Sequence, residues 1–288
     1  MKRHTSVSDF SVRPEPALGA SAATFAERSA VRVYGDGERT LLFAHGFCCT
    51  QRVFEAQVRA FRDSHRVVTY DLAGFGEADA SLWSARRYAT LEGYALDLVR
   101  LIEELGLRRV TFVGASMSAM TGLIASTICP ERFDALVFVA GSPRYLDDDG
   151  YVGGFDRAFL DAFYAMVNGR ARWRDAVRDM LLGEAAAVTL EDVAQGVDCV
   201  LPDVVRVVGQ AIFEADFRAW LPHCTLPVLV TQTRADAAVP EAVGRYLAST
   251  LVNARLELLP GVGHLPMRTE PEAFNAALRA FMARSSRS

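Results

Sequence analysis

The stretch that most restricts the fold of this chain is Val110-Thr111-Phe112-Val113-Gly114-Ala115-Ser116-Met117-Ser118-Ala119-Met120. Its first half is β-branched and aromatic, as a buried strand is. Its continuation, Ala119 to Ile128, is apolar and free of proline, as a buried helix is. Between them stands Gly-x-Ser-x-Ser, close to the Gly-x-Ser-x-Gly turn that holds a nucleophilic serine in a strained conformation at the top of a sheet. Small residues are required two positions either side of that serine, because the helix leaves so close to the strand, and Gly114 and Ser118 meet the requirement. The competing reading is an ordinary strand-to-helix turn with serine as N-cap.

The rest of the chain repeats the strand-then-helix alternation. Val31 to Tyr34 reads as a strand, Gly35-Asp36-Gly37 as a turn and Thr40 to Ala44 as a second, buried strand, giving a hairpin-like start. A helix from about residue 52 to 61, a strand at 66–70 and an amphipathic helix at 91–105 precede the Ser116 turn, and a strand at 135–140 follows it. From Ser142 to about Pro222 the pattern is helical and rich in aromatics. Alternation then resumes with a strand at 227–231, a helix at 241–251, a strand at 256–259 and a helix at 272–283. Parallel strands need crossover helices, so this order predicts a mostly parallel, doubly wound α/β sheet. A helical insertion between two of its strands is expected to lie as a cap over the carboxyl edge, where open α/β sheets bind ligands. The expected division is a tail over residues 1–28, rich in Ser, Ala and Pro, a core over 29–141 and 223–288, and a cap over 142–222.

A core of this size suits 288 residues of which 51% are hydrophobic. With 31 basic and 35 acidic residues the formal charge is −4, without long like-charge blocks, which argues against a nucleic-acid partner. The longest apolar runs fall far short of the roughly 18 residues that span a bilayer. Five cysteines, Cys48, Cys49, Cys129, Cys199 and Cys224, form no metal-ligand spacing. Free thiols in a reducing cytoplasm are the simplest account. Gly74-x-Gly76 lacks the lysine of a phosphate loop and the full glycine pattern of a dinucleotide site, so no metal or cofactor is expected.

A nucleophilic Ser116 needs a general base, and of the five histidines only His264 follows a C-terminal strand on a glycine-rich loop, Gly261-Val262-Gly263-His264-Leu265-Pro266. Imidazole suits the task because its ordinary pKa of about 6.5 keeps it neutral yet basic at working pH. Asp236, just after the strand that ends at Thr231, is the candidate to orient it, and Ser116, Asp236, His264 is the chain order of this scaffold. Asp71 and Asp147 also follow strands; they read as a turn former and as the solvated start of the cap. An oxyanion needs two N–H donors, for which the Met117 amide and the Phe47 amide of His45-Gly46-Phe47 are the candidates. His45 reads as a stabiliser of that loop.

These residues resemble the α/β-hydrolases, and within them the branch of bacterial RsbQ and the plant karrikin and strigolactone receptors. The likeness runs from about Val31 to the C-terminus. It includes His45-Gly46-Phe47, Leu91-Glu92-Gly93-Tyr94, Ser116 with Ser118-Ala119-Met120, Ser142-Pro143-Arg144-Tyr145-Leu146, Gly153-Gly154-Phe155, and Gly209-Gln210-Ala211-Ile212-Phe213 with Asp216. The resemblance implies an α/β-hydrolase fold with a four-helix cap, a Ser116, His264 and Asp236 triad, and hydrolysis of a small hydrophobic ester or lactone. It implies a pocket lined by Phe47, Tyr145, Phe155, Phe163, Trp173 and Phe213, bordered by Ala115 and Ala237. The family usually carries His at Ala115 and Gly at Cys48. The same likeness implies two alternatives, a ligand sensor that docks a signalling protein through its cap, and a biosynthetic enzyme catalysing a non-hydrolytic rearrangement.

Overall fold

The computed structural model describes residues 23–169, 172–182 and 191–285. Seven strands form one sheet: β1 (Arg32–Tyr34), β2 (Thr40–Ala44), β3 (Arg66–Tyr70), β4 (Val110–Ala115), β5 (Phe133–Val139), β6 (Val228–Ala235) and β7 (Ala254–Val262), in the order β1-β3-β2-β4-β5-β6-β7. Every neighbouring pair is parallel except β1 with β3. Strand β2 is buried at all five positions and β4 and β5 at nearly all, the continuous burial that parallel strands show when both faces are covered.

The helices are α1 (Phe25–Arg28), α2 (Glu55–Phe61), α3 (Glu92–Glu104), α4 (Met117–Ile128), α5 (Arg157–Asn168), α6 (Trp173–Leu182), α7 (Glu191–Cys199), α8 (Pro202–Phe213), α9 (Glu241–Thr250), α10 (Pro266–Thr269) and α11 (Pro271–Ser285). Helix α3 packs on α4, α2 on α11, and α9 on β6 and β7. On α4 the ten residues Met117 to Ser126 are all buried. One glycine before it and one within it show how close the packing is. A Cβ on Gly114 would stand 2.4 Å from the Ser118 carbonyl oxygen, and one on Gly122 would stand 2.3 Å from the Phe112 ring.

Two expectations need correction. The first is the hairpin: β1 pairs with β3 and not with β2, so β3 lies between the two. The glycines that read as a hairpin turn instead let the chain pass against another backbone. A Cβ on Gly35 would meet the Arg62 carbonyl oxygen at 2.0 Å, and one on Gly37 the His65 Cα at 2.5 Å. The second is the end of the tail. Residues 1–22 lie outside the described residues, but Phe25–Arg28 is a helical turn closed by a capping box between Thr24 and Glu27. Phe25 and Ala26 are buried, and their amides donate to the Glu104 carboxylate at the end of α3. The apolar face of so short a turn has no period to read.

The segment between β5 and β6 carries α5 to α8 and touches the carboxyl edge of the sheet at several points. The Leu181 carbonyl of α6 accepts from the His264 amide at 3.0 Å. Gly196 of α7 sits where a Cβ would meet the Cys48 carbonyl oxygen at 3.0 Å. At its root the Phe217 amide donates to the Pro143 carbonyl at 2.8 Å. Around that root Arg144 and Arg218 pair with Asp148 and Asp216, with Arg218 2.8 Å from Asp148 and 2.7 Å from Asp216. No helix among the described residues is long and apolar enough to cross a membrane.

Candidate active site

Ser116 stands between β4 and α4 at φ 53° and ψ −118°, a conformation that costs a non-glycine residue energy and persists only where the surroundings enforce it. The enforcement is visible. The Ser116 amide donates to the Val139 carbonyl of β5 at 2.8 Å, and its carbonyl accepts from the Ala119 amide at 3.0 Å. An N-cap serine has extended backbone angles and accepts from its own helix. Ser116 has positive φ and makes no capping bond, so the ordinary-turn reading fails. The side chain is directed elsewhere, and its Oγ lies 3.1 Å from the Tyr145 hydroxyl.

His264 and Asp236 meet as the sequence predicts. His264 Nδ1 is 2.8 Å from Asp236 Oδ2, and the two side chains are 2% and 0% exposed. Strand β6 runs to Ala235, four residues further than the sequence pattern marks, so Asp236 follows the strand directly. Its carboxylate also accepts from Gln232 Nε2 at 3.1 Å and from the amides of Ala238 and Val239 at 2.8 and 3.0 Å. Facing a carboxylate so well supplied with donors, Nδ1 carries the imidazole proton, and Nε2 is left as the basic nitrogen. The Gly263 amide donates to the Ala235 carbonyl at 2.7 Å, and Thr233 Oγ1 donates to the Gly263 carbonyl at 2.7 Å. The histidine loop is therefore anchored on the strand that carries the acid.

The loop after β2 lies against the turn: a Cβ on Gly46 would stand 3.0 Å from that of Ser116. His45 organises this loop. Its Nε2 accepts from the Leu72 amide at 3.0 Å, so its Nδ1, 2.8 Å from the Gly46 carbonyl, is the donor. Full burial lowers the His45 pKa, so its approach of 3.6 Å to Asp71 is not an ion pair. The Phe47 amide has no acceptor among the described residues, and the Met117 amide opens α4, where N–H groups lack intrahelical partners. Cys48, where the resemblance implies glycine, has φ 56°, the left-handed region that glycine enters without strain. Burial raises its thiol pKa well above the ordinary value, so it is an inert hydrophobe rather than a reactive thiolate.

Above Ser116 stands an aromatic cluster centred on Phe213 of α8. Its ring centroid lies 5.4 Å from that of Tyr145, 5.5 Å from Phe155, and 5.8 Å from both Phe47 and Phe163. Four of the contacts are edge-on, the geometry that ring quadrupoles favour. All five side chains are buried.

The sequence profile of a group described as the Alpha/beta hydrolase family matches residues 41–277, more than three quarters of the chain. The chain belongs to the alpha/beta hydrolase family. Its relatives include Karrikin insensitive 2 receptor CA of Petunia hybrida, 36% identical over 84% of this chain and 91% of that protein. Strigolactone esterase RMS3 of Pisum sativum is 32% identical over 84% of this chain and 91% of that protein. Among solved structures, a hydrolase from Oleispira antarctica superposes with a TM-score of 0.87 at 27% identity, covering 90% of this chain and 96% of that one. The resemblance to the karrikin and strigolactone branch is thus borne out, as is the fold class.

Within this alpha/beta hydrolase one pocket expectation changes. Ala237 is exposed while Ala238 is buried, because the turn that points the Ala238 and Val239 amides at Asp236 directs residue 237 outward. Trp173 is buried at the start of α6 with the Arg174 guanidinium 4.4 Å above its ring, and it takes no part in the ring contacts around Phe213. Ala115 is buried next to Ser116. Ser118 is the residue that sequence reasoning undervalued. It reads as a small filler, yet its Oγ donates to the His45 carbonyl at 2.6 Å, tying α4 to the loop that carries the Phe47 amide. The signal was there: a hydroxyl in place of the motif's second glycine.

Proposed function

We propose that this chain is a serine hydrolase that cleaves a small hydrophobic ester or lactone through an acyl-enzyme on Ser116. The observation that carries this reading is the buried 2.8 Å contact between His264 Nδ1 and Asp236 Oδ2 on two strand-end loops, in a chain whose Ser116 stands in a strained turn at the end of a third strand. His264 Nε2 takes the hydroxyl proton as Oγ attacks the carbonyl, and the Phe47 and Met117 amides receive the oxyanion. The proton passes to the leaving oxygen, water enters, and the same imidazole assists release of the acid. The segment 142–222 acts as a cap, on the strength of its contacts with the His264 and Cys48 loops. Its aromatic, uncharged lining favours an apolar substrate. The five free cysteines fit the reducing cytoplasm expected from the sequence.

The test is covalent labelling with a fluorophosphonate probe. The wild-type protein should be labelled at Ser116 and the Ser116→Ala protein not at all. Labelling that persists at another residue in the variant would refute the assignment. A second reading, a ligand sensor that docks a protein through its cap, draws support from relatives named as receptors at 36% identity. Partner capture by the Ser116→Ala protein that depends on an added ester or lactone would favour it.

A further inference from the structure

One contact at the nucleophile lies outside the mechanism above: the Tyr145 hydroxyl, 3.1 Å from Ser116 Oγ. Either oxygen could donate, but the chemistry assigns the direction. The Asp236 carboxylate keeps the imidazole proton on Nδ1, so Nε2 can only accept, and the single Ser116 proton must point to it during attack. Oγ then has lone pairs to offer, and the phenol is the donor. Burial raises the Tyr145 pKa far above its ordinary value, so the phenol keeps its proton throughout the working range.

The Tyr145 side chain is also aimed. Its ring stacks on Phe155 at 6.0 Å and meets Phe213 edge-on at 5.4 Å. Its backbone carbonyl accepts from the Phe155 amide at 3.0 Å, and Gly153 lies so close that a Cβ there would be 2.5 Å from the same carbonyl. A rigid, dry phenol directed at a reacting oxygen is a preorganised donor.

Resting on the proposed serine mechanism, we propose that Tyr145 is a catalytic residue whose O–H stabilises Ser116 Oγ as the leaving group of deacylation. In that step water attacks the acyl carbonyl and gives its proton to His264 Nε2. The bond from the acyl carbon to Oγ then breaks, and Oγ leaves with the electron pair and takes that proton back from His264 as the acid departs. Negative charge builds on Oγ before the proton arrives, and a hydrogen bond to a charged acceptor is about twice as strong as one to a neutral oxygen. Tyr145 keeps its own proton. Acylation gains less, because the same hydrogen bond that eases loss of the serine proton draws density from the attacking lone pair.

The experiment is pre-steady-state hydrolysis of p-nitrophenyl acetate by the wild-type and Tyr145→Phe proteins, which separates the acylation and deacylation rate constants. Tyr145→Phe should lower the deacylation constant about tenfold or more, equivalent to ~1.4 kcal/mol or more, and leave the acylation constant within about threefold. Equal losses in both constants would mark a merely structural role and overturn the proposal, as would no loss in either. Fluorophosphonate labelling keeps this separate from failure of the serine mechanism. Wild-type protein that is not labelled at Ser116 overturns that mechanism and the Tyr145 role together, whereas normal Ser116 labelling with an unchanged deacylation constant overturns the Tyr145 role alone.

Discussion

Replacing Ser118 by alanine would test whether the hydroxyl that departs from the usual nucleophile turn holds the proposed oxyanion loop in place. Ser118 Oγ donates to the His45 carbonyl at 2.6 Å, and both residues are completely buried. Alanine keeps the helix propensity and the tight packing beneath Gly114 but leaves a buried carbonyl without its donor, at a cost of about 1–3 kcal/mol. For a chain of this size each kcal/mol lowers the melting temperature by roughly 2 °C, so a loss of about 2–6 °C is expected in a calorimetric melt. The kinetic effect follows from position. His45 precedes Gly46 and Phe47, so releasing its carbonyl loosens the loop that carries one of the two proposed oxyanion donors. Complete loss of such a donor costs on the order of 100-fold or more in kcat, and a displaced one should cost about tenfold, with KM for a p-nitrophenyl ester little changed. A Ser118→Ala protein that melts within about 1 °C of wild type and keeps its kcat would refute the reasoning.

Two further outcomes follow. Asp236→Asn should preserve the fold but lower kcat by roughly 10⁴-fold, because an amide can present its N–H to Nδ1 and drive the proton onto Nε2; esterase assays and a thermal melt of the same sample check both parts. Arg218→Ala should loosen the root of the insertion, read as faster amide hydrogen exchange over residues 144–155 and 216–223. The Arg218 hydrogen bond is the first cause that holds the Asp148 carboxyl below its ordinary value of 3.8. That contribution is present in full above this value and is lost as pH falls through the depressed one. Acidification below about pH 4 should therefore bring wild-type exchange in these segments toward that of the variant.

The parts of this molecule that the sequence discloses are those written in period and spacing. The alternation that encodes the parallel sheet, the Ser116 turn, and the acid and histidine loops all stand where chain order puts them, because each is a local pattern at a strand end. What the sequence hides depends on partners distant along the chain. Gly35 and Gly37 read as a hairpin turn, but their need for space is set by the backbone at 62–65. Phe25 looks like one aromatic in a polar tail until Glu104 of α3 supplies the acceptor for its amide. Ala237 is a pocket residue by the family resemblance, and only the direction of the turn amides sends it to the surface. The aromatic spacing of Phe155, Phe159 and Phe163 fits a helix face, yet Phe155 precedes α5 and stacks on both Tyr145 and Phe159.

The Phe213 cluster joins elements that lie far apart in the chain through one set of ring contacts. Phe47 belongs to the loop after β2, Tyr145 and Phe155 to the segment after β5, Phe163 to α5 and Phe213 to α8, so a molecule that displaces one of these rings disturbs contacts to separate elements at once. Where entry requires those rings to part, the protein has an energy gap between a closed and a parted arrangement, and a ligand binds only the second. Its apparent dissociation constant exceeds the intrinsic one by the inverse of the parted fraction, a factor of ten for each ~1.4 kcal/mol of gap. Substitutions that narrow the gap, even at the insertion root and far from the nucleophile, would tighten binding without adding a contact.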